Sequence, residues 1–250
     1  MTLSRKSIGQ YALVVILIML WQLIYQVIGA PAMASPWESI VNLVENFIPW
    51  LSDINSTLIA LLISFVLAAV IGVILGFLIG LSSFWTQVFG PIILGIYSIP
   101  KITLYPIFLL VFGLTIEGRI AFSFFHGVFP IIIVCMEATR TVPTVYLKLS
   151  KTYRLTFLEK ARFILIPSIL PQLVSGLRMG FNLCFLGLII SEMFASYEGL
   201  GSRLMKYLSL ENTPSIFSLF LIISFIALFV TFLFLLWEQK KEERIGRFEN

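Results

Sequence analysis

The densest concentration of charge in this chain lies between residues 138 and 170. Arg140, Lys148, Lys151, Arg154, Lys160 and Arg162 stand there against a single acid, Glu159. Cations at that density without matching acids hold an acidic protein surface or anionic lipid headgroups. Three more polar residues stand apart inside apolar runs: Lys101, Arg178 and Asn182. An ammonium inside a membrane costs about 2.5 kcal/mol or more unless paired or hydrated, so Lys101 either lines a watery pathway or is fixed by carbonyls or a partner. Arg178 and Asn182 are four residues apart and share a helix face, which must turn from lipid toward protein. Bond-making chemistry is missing from the pattern. The one histidine, His126, has Phe124, Phe125 and Gly127 as neighbours and reads as a packing or cavity-lining residue. No G-x-x-x-x-G-K-[ST], H-E-x-x-H or G-x-S-x-G is present. Cys135 and Cys184 lie in apolar runs without the spacing of a metal site, and read as small packing residues. The chain is therefore expected to hold no catalytic residue, metal or cofactor of its own.

The elements that position these residues are membrane helices. With 59% apolar and 12% charged residues and a mean hydropathy of +1.00, the composition points to an all-α, polytopic membrane protein with one transmembrane domain over residues 1–250. No base-stacking motif or basic stripe supports a nucleic-acid role. The apolar runs predict six spans, at about 11–29, 57–80, 89–112, 120–137, 170–194 and 214–237, with a polar loop over 138–169. Lys and Arg beside the spans put that loop and both chain ends in the cytoplasm. Residues 30–56 carry Glu38, Glu45 and Asp53 but no Lys or Arg, as an outer segment should. Within it, Ser35 and Pro36 open a short amphipathic helix expected at the outer interface, with Trp37, Val41, Val44, Phe47 and Ile48 on its apolar face. Residues 54–100 are uncharged and must fold back once, with the turn expected in Leu81–Gly90. Gly72, Gly76 and Gly80 line one face of the second span and predict close helix packing. Pro91, Pro100 and Pro106 interrupt the third. Glu137 and Arg140 are placed to pair at the inner edge, and Glu192 falls near the outer end of the fifth span.

Several segments together resemble a known family. SPWESI, GVILGFLIGLSS, SIPKITLYPIFLLVFGL, FFHGVFPIII, LIPSILPQLVSGLRMG and SEMFASYEGLGSRL follow one another over most of the chain. Their order is similar to the inner-membrane permeases of ATP-binding-cassette (ABC) importers with the type I import fold. The nearest branch is the one handling nitrate, sulfonates, taurine and thiamine precursors.

That resemblance implies a bacterial inner-membrane permease, surrounded by lipid and paired with a second permease subunit, here a second copy of the chain. It further implies two cytoplasmic ABC ATPase subunits, which bind the ATP and Mg, and an extracytoplasmic solute-binding protein. The loop would carry a coupling helix seated in the ATPase, with Lys148, Lys151, Tyr153, Arg154, Leu155, Thr156 and Phe157 at the contact. Lys101, Arg178 and Asn182 would line the translocation pathway. One departure matters. Counted back from Pro167, the family's Glu-Ala-Ala falls on Lys148, Leu149 and Ser150, and its glycine on Arg154. Loss of that glycine leaves the geometry of the turn open, and the gained arginine points to a partner cleft with compensating acids. Two other classes remain: an ion-coupled secondary transporter, which would need ionisable groups deep in the membrane, and a membrane substrate-capture subunit, which would not need the long basic loop.

Overall fold

The computed structural model describes residues 5–29 and 32–246, which are almost wholly helical and contain no strand. In chain order the helices are α1 (Arg5–Ile28), α2 (Pro36–Gly80), α3 (Ser83–Ser98), α4 (Tyr105–Phe112), α5 (Ile116–Arg140), α6 (Thr144–Thr152), α7 (Phe157–Lys160), α8 (Ile166–Ala195), α9 (Leu200–Ser209) and α10 (Thr213–Gly246). A 3₁₀ turn, Lys101–Leu104, joins α3 to α4, and a π-helical turn, Ala161–Leu165, joins α7 to α8. Among the described residues four helices are long and apolar enough to cross a membrane: Pro36–Gly80, Ile116–Arg140, Phe157–Phe194 and Thr213–Glu238. The α3–α4 pair adds a fifth when counted as one span, and Ala12–Ile28 is a shorter apolar helix.

Helix α5 is the centre, with α2 packed on one side and α8 on the other. Small residues let these backbones approach. A Cβ on Gly76 would lie 2.6 Å from the Ile132 carbonyl oxygen and 2.8 Å from Cys135 Cβ, and one on Gly80 2.6 Å from the Met136 carbonyl oxygen. The glycine stripe of α2 is thus the face that meets α5. Around the contact, Ala60, Leu61, Ala68, Val128, Ile131, Ile132, Phe181 and Leu188 form the main apolar core. His126 is buried there, its ring against Phe122 and its Nδ1 3.0 Å from the Phe122 carbonyl, while a Cβ on Gly187 would lie 2.7 Å from its Cγ. Both cysteines are buried and unlinked.

Two helical boundaries differ from those the sequence predicts. No separate interfacial helix precedes the second span. Ser35 caps α2 as expected, in a capping box with Glu38, but the helix then runs unbroken for 45 residues through Pro49. Its middle is held by protein rather than lipid: Trp50 is fully buried among Leu200, Leu219 and Ile222, with its indole N–H donating to the Tyr207 hydroxyl at 3.2 Å. The third span is not one rod either. The preceding turn is only Leu81–Ser82, because Ser82 caps α3 and the Thr86 hydroxyl donates back to the Ile79 and Ser82 carbonyls. Pro100 then holds Ile99 in an extended conformation, ending α3, and α4 departs at 84°. Pro91 lies inside α3 without breaking it.

Outward-facing side chains of α1, α4 and α10 are large and apolar, among them Leu13, Ile16, Leu110, Val111, Phe225 and Leu228. Trp21 ties α1 to the bundle by donating to the Ala34 carbonyl at 3.0 Å and stacking on Phe217 of α10.

Candidate functional site

The basic loop folds into a helix–turn–helix. Helix α6 ends in a turn that satisfies its last carbonyls: Tyr153 N–H donates to Leu149, Arg154 N–H to Lys151 and Leu155 N–H to Ser150, at 3.0, 3.1 and 3.0 Å. This is the hydrogen-bond pattern that usually has glycine at the left-handed position. Arg154 occupies it with φ +50°. The turn is therefore formed although its glycine is missing. Thr156 opens α7 through a second capping box: the Glu159 carboxylate accepts the Thr156 N–H and hydroxyl at 2.8 Å each, and Glu159 N–H donates to the Thr156 hydroxyl at 3.4 Å. The π-helical turn follows, immediately ahead of Pro167, which has no N–H to keep α-helical register.

This unit has an apolar underside and a polar, exposed top. Val142, Leu165 and Ile169 are buried with Cys135 and Ala138, and Leu147 packs against them, so α6 is anchored to the adjoining ends of α5 and α8. Lys148, Lys151, Arg154, Thr156 and Phe157 are exposed, Leu155 is half-buried, and Tyr153 and Leu158 are 71% and 78% exposed. A groove of about 490 Å³ runs beside α6, lined by Pro143, Tyr146, Leu149, Phe163, Ile164, Pro167 and Ser168. At the end of α5 Arg140 pairs with Glu137 at 3.3 Å.

The three isolated polar residues are held separately. Lys101 sits at the α3–α4 break, its Nζ 3.0 Å from the Tyr97 carbonyl and 4.4 Å from the centre of the Tyr97 ring. Arg178 and Asn182 both face α10: Arg178 lies 3.4 Å from Glu238, which also accepts a bond from Ser175, and Asn182 Oδ1 accepts from the Thr231 hydroxyl at 3.0 Å. Among the described residues no hydrogen bond or ion pair joins Lys101 to either of them.

A fourth polar group escapes the sequence reading. Glu192 is fully buried; its carboxylate receives the Thr57 hydroxyl at 2.9 Å and Gly201 N–H at 3.0 Å, with Arg119 at 3.6 Å. Asp53 beside it takes Gly199 N–H at 3.0 Å and the Arg203 guanidinium, with Nε at 2.8 Å. Thr57 Oγ1 also accepts Leu200 N–H at 2.9 Å. Two acids and two bases are thus closed into one cluster that fixes α9 to α2, α5 and α8. Gly199 makes this possible: it has φ +102°, and a Cβ there would collide with the Glu192 carboxylate. The visible signal in the sequence is Glu192 followed by E-G-L-G-S-R; Thr57, the partner of Glu192, is 135 residues away, and Asp53, the partner of Arg203, is 150 residues from it. Glu192 lies three residues before the end of α8, and the structure adds that its carboxylate is buried and paired inside the protein.

Helices α5 and α8, the glycine contacts and the anchored loop lie within residues 68–246, the stretch matched by the family profile described as "Binding-protein-dependent transport system inner membrane component". The chain belongs to that family. It is an ABC importer inner-membrane permease, a transport component rather than an enzyme. Among curated relatives, the formylaminopyrimidine transport permease protein ThiX of Halalkalibacterium halodurans is 24% identical over 90% of this chain and 91% of its own length. A probable ABC transporter permease protein of Haemophilus influenzae is 28% identical, and the nitrate import permease protein NrtB of Synechococcus elongatus 29%. These two alignments cover 57% and 49% of this chain, and 58% and 44% of the relatives' lengths. Two solved structures share the permease fold. An inward-facing MetNI methionine ABC transporter matches 74% of this chain and 93% of its own with a TM-score of 0.65 at 18% identity. An amino acid ABC transporter with histidines matches 82% and 97% with a TM-score of 0.60 at 17% identity.

Proposed function

We propose that two copies of this chain form the translocation pathway of an importer whose cytoplasmic face is gripped at residues 144–157 by two ABC ATPase subunits. The observation that carries the reading is the loop itself: a capped, strongly cationic helix–turn–helix, exposed on top and anchored below to α5 and α8. Closure of the ATPase dimer around ATP and Mg would draw the two loops together. Because Val142, Leu165 and Ile169 tie each loop to two membrane helices, the movement would tilt those helices and exchange inward-open for outward-open arrangements. A solute-binding protein would deliver cargo from the other side. In this reading α1, α2, the bent α3–α4 pair, α5, α8 and α10 are six crossings, with both ends in the cytoplasm. Lys101 lines the pathway at its break, while Arg178 and Asn182 hold α10 against α8 at its edge.

The cargo class is a small organic or anionic solute. Formylaminopyrimidine and nitrate are the cargoes named for two relatives, and aliphatic sulfonates and riboflavin those named for two more, SsuC of Bacillus subtilis and RibX of Chloroflexus aurantiacus. Reconstitution tests the whole. Proteoliposomes carrying the chain, its ATPase and its binding protein should take up a solute only with all three present and ATP supplied on the ATPase side. Calorimetry of the binding protein against nitrate, ethanesulfonate, formylaminopyrimidine and riboflavin would identify the solute. Uptake by the chain alone, driven by an ion gradient, would overturn the proposal.

A further inference from the structure

Arg154 is in a backbone conformation that an L-residue adopts only against a steric cost and glycine adopts freely. The closing bonds of the turn require that conformation, and glycine would meet the requirement without strain. Among the described residues Arg154 has no carboxylate partner, and its side chain is exposed. Lys148 and Lys151, on the preceding helix, are likewise exposed and unpaired. The nearby acid cannot serve them, because the Glu159 carboxylate is engaged by its own capping box. The turn therefore projects an uncompensated guanidinium beside Tyr153, Phe157 and Leu158, all largely exposed. Arginine next to exposed aromatic side chains is the composition of a protein-binding hot spot rather than of a solvated loop.

We propose that Arg154 is retained against its local strain because it enters a carboxylate-lined pocket of the ATPase subunit, flanked by Tyr153 and Phe157. This inference rests on the reading of residues 144–157 as the ATPase-docking element and names the chemistry of the surface it meets. Strained backbone of this kind clusters at ligand clamps and switch regions. The chain supplies its own comparison: Glu211, at the end of α9, has φ +52° and the same pair of closing bonds, Glu211 N–H to Leu208 and Asn212 N–H to Tyr207. It shares the backbone geometry and lies far along the chain from the docking element.

The test compares Arg154→Gly, Arg154→Lys, Arg154→Glu and Glu211→Gly in nanodiscs, reading thermal unfolding and the affinity for the co-expressed ATPase subunit at two salt concentrations. Arg154→Gly should unfold at or above the wild-type temperature yet bind the ATPase about five- to tenfold more weakly, with less dependence on salt. Arg154→Glu should lose more than tenfold, Arg154→Lys should keep a larger share, and Glu211→Gly should leave affinity unchanged. Wild-type affinity in Arg154→Gly overturns the proposal while leaving ATPase docking intact. An effect that follows the phosphatidylglycerol content of the nanodisc and persists without ATPase overturns it in favour of lipid headgroups. Failure of the wild-type chain to bind any ATPase removes the docking reading as well.

Discussion

Replacing Arg119 by Met alone should destabilise the permease more than replacing Arg119 and Glu192 together. The two groups lie 3.6 Å apart, and the exposures of their side chains are 8% and 0%. At an effective dielectric near 20, unit charges at that separation attract by roughly 4.6 kcal/mol, and the desolvation of both ions offsets much of this. Removing one partner is the severe case, because it strands a buried charge at a cost of about 3–5 kcal/mol. In Arg119→Met the stranded group is Glu192, whose remaining donors are the Thr57 hydroxyl and Gly201 N–H. Converting Glu192 to Gln as well removes the stranded charge and should recover about 2 kcal/mol. A double-mutant cycle by unfolding in mixed micelles measures the difference directly. Additivity within about 0.5 kcal/mol would refute the idea that the two charges are one unit, and would leave Asp53 and Arg203 as the effective clamp on α9.

Three smaller perturbations probe other joints. Gly76→Val should force α2 away from α5, since even a Cβ would lie 2.6 Å from the Ile132 carbonyl, and should cost about 1–3 kcal/mol in the same unfolding assay. Thr156→Ala removes one side of the capping box on α7 and should cost about 1 kcal/mol locally, seen as faster hydrogen exchange over residues 156–160 with little change at α6. Lys101→Met keeps the bulk of the stem but removes the ammonium bonded to Tyr97; in the reconstituted importer it should lower uptake while leaving ATPase assembly intact, and unchanged uptake would assign Lys101 a structural role.

What the sequence reveals here is what neighbouring residues decide. The Ser35 cap before Pro36 and the glycine face of α2 follow from local residue types and a spacing of four, and both stand in the structure. The proline-bearing break at Ile99–Pro100 is local too, although the 84° bend beyond it depends on how α4 packs, with Tyr105 donating to the Ser191 carbonyl. The outer cluster could not be read, because Asp53 and Arg203 are 150 residues apart and each looks like an ordinary loop charge until α9 folds back. Arg178 has a partner hidden for the same reason. Its helix face was legible, but Glu238 reads as the start of a polar tail rather than a partner. Arg154 shows the opposite limit: a missing glycine raises a question about the turn, and only the observed φ and closing bonds answer it.

The central claim is that residues 144–157 form a cytoplasmic surface gripped by an ATPase. Cys135 and Cys184 are buried, so Lys151→Cys would place one exposed thiol on that surface. A membrane-impermeant maleimide should label it in inside-out vesicles, not in intact cells, and bound ATPase should protect it. Labelling from the outer face, or labelling that the ATPase leaves unchanged, would contradict the account.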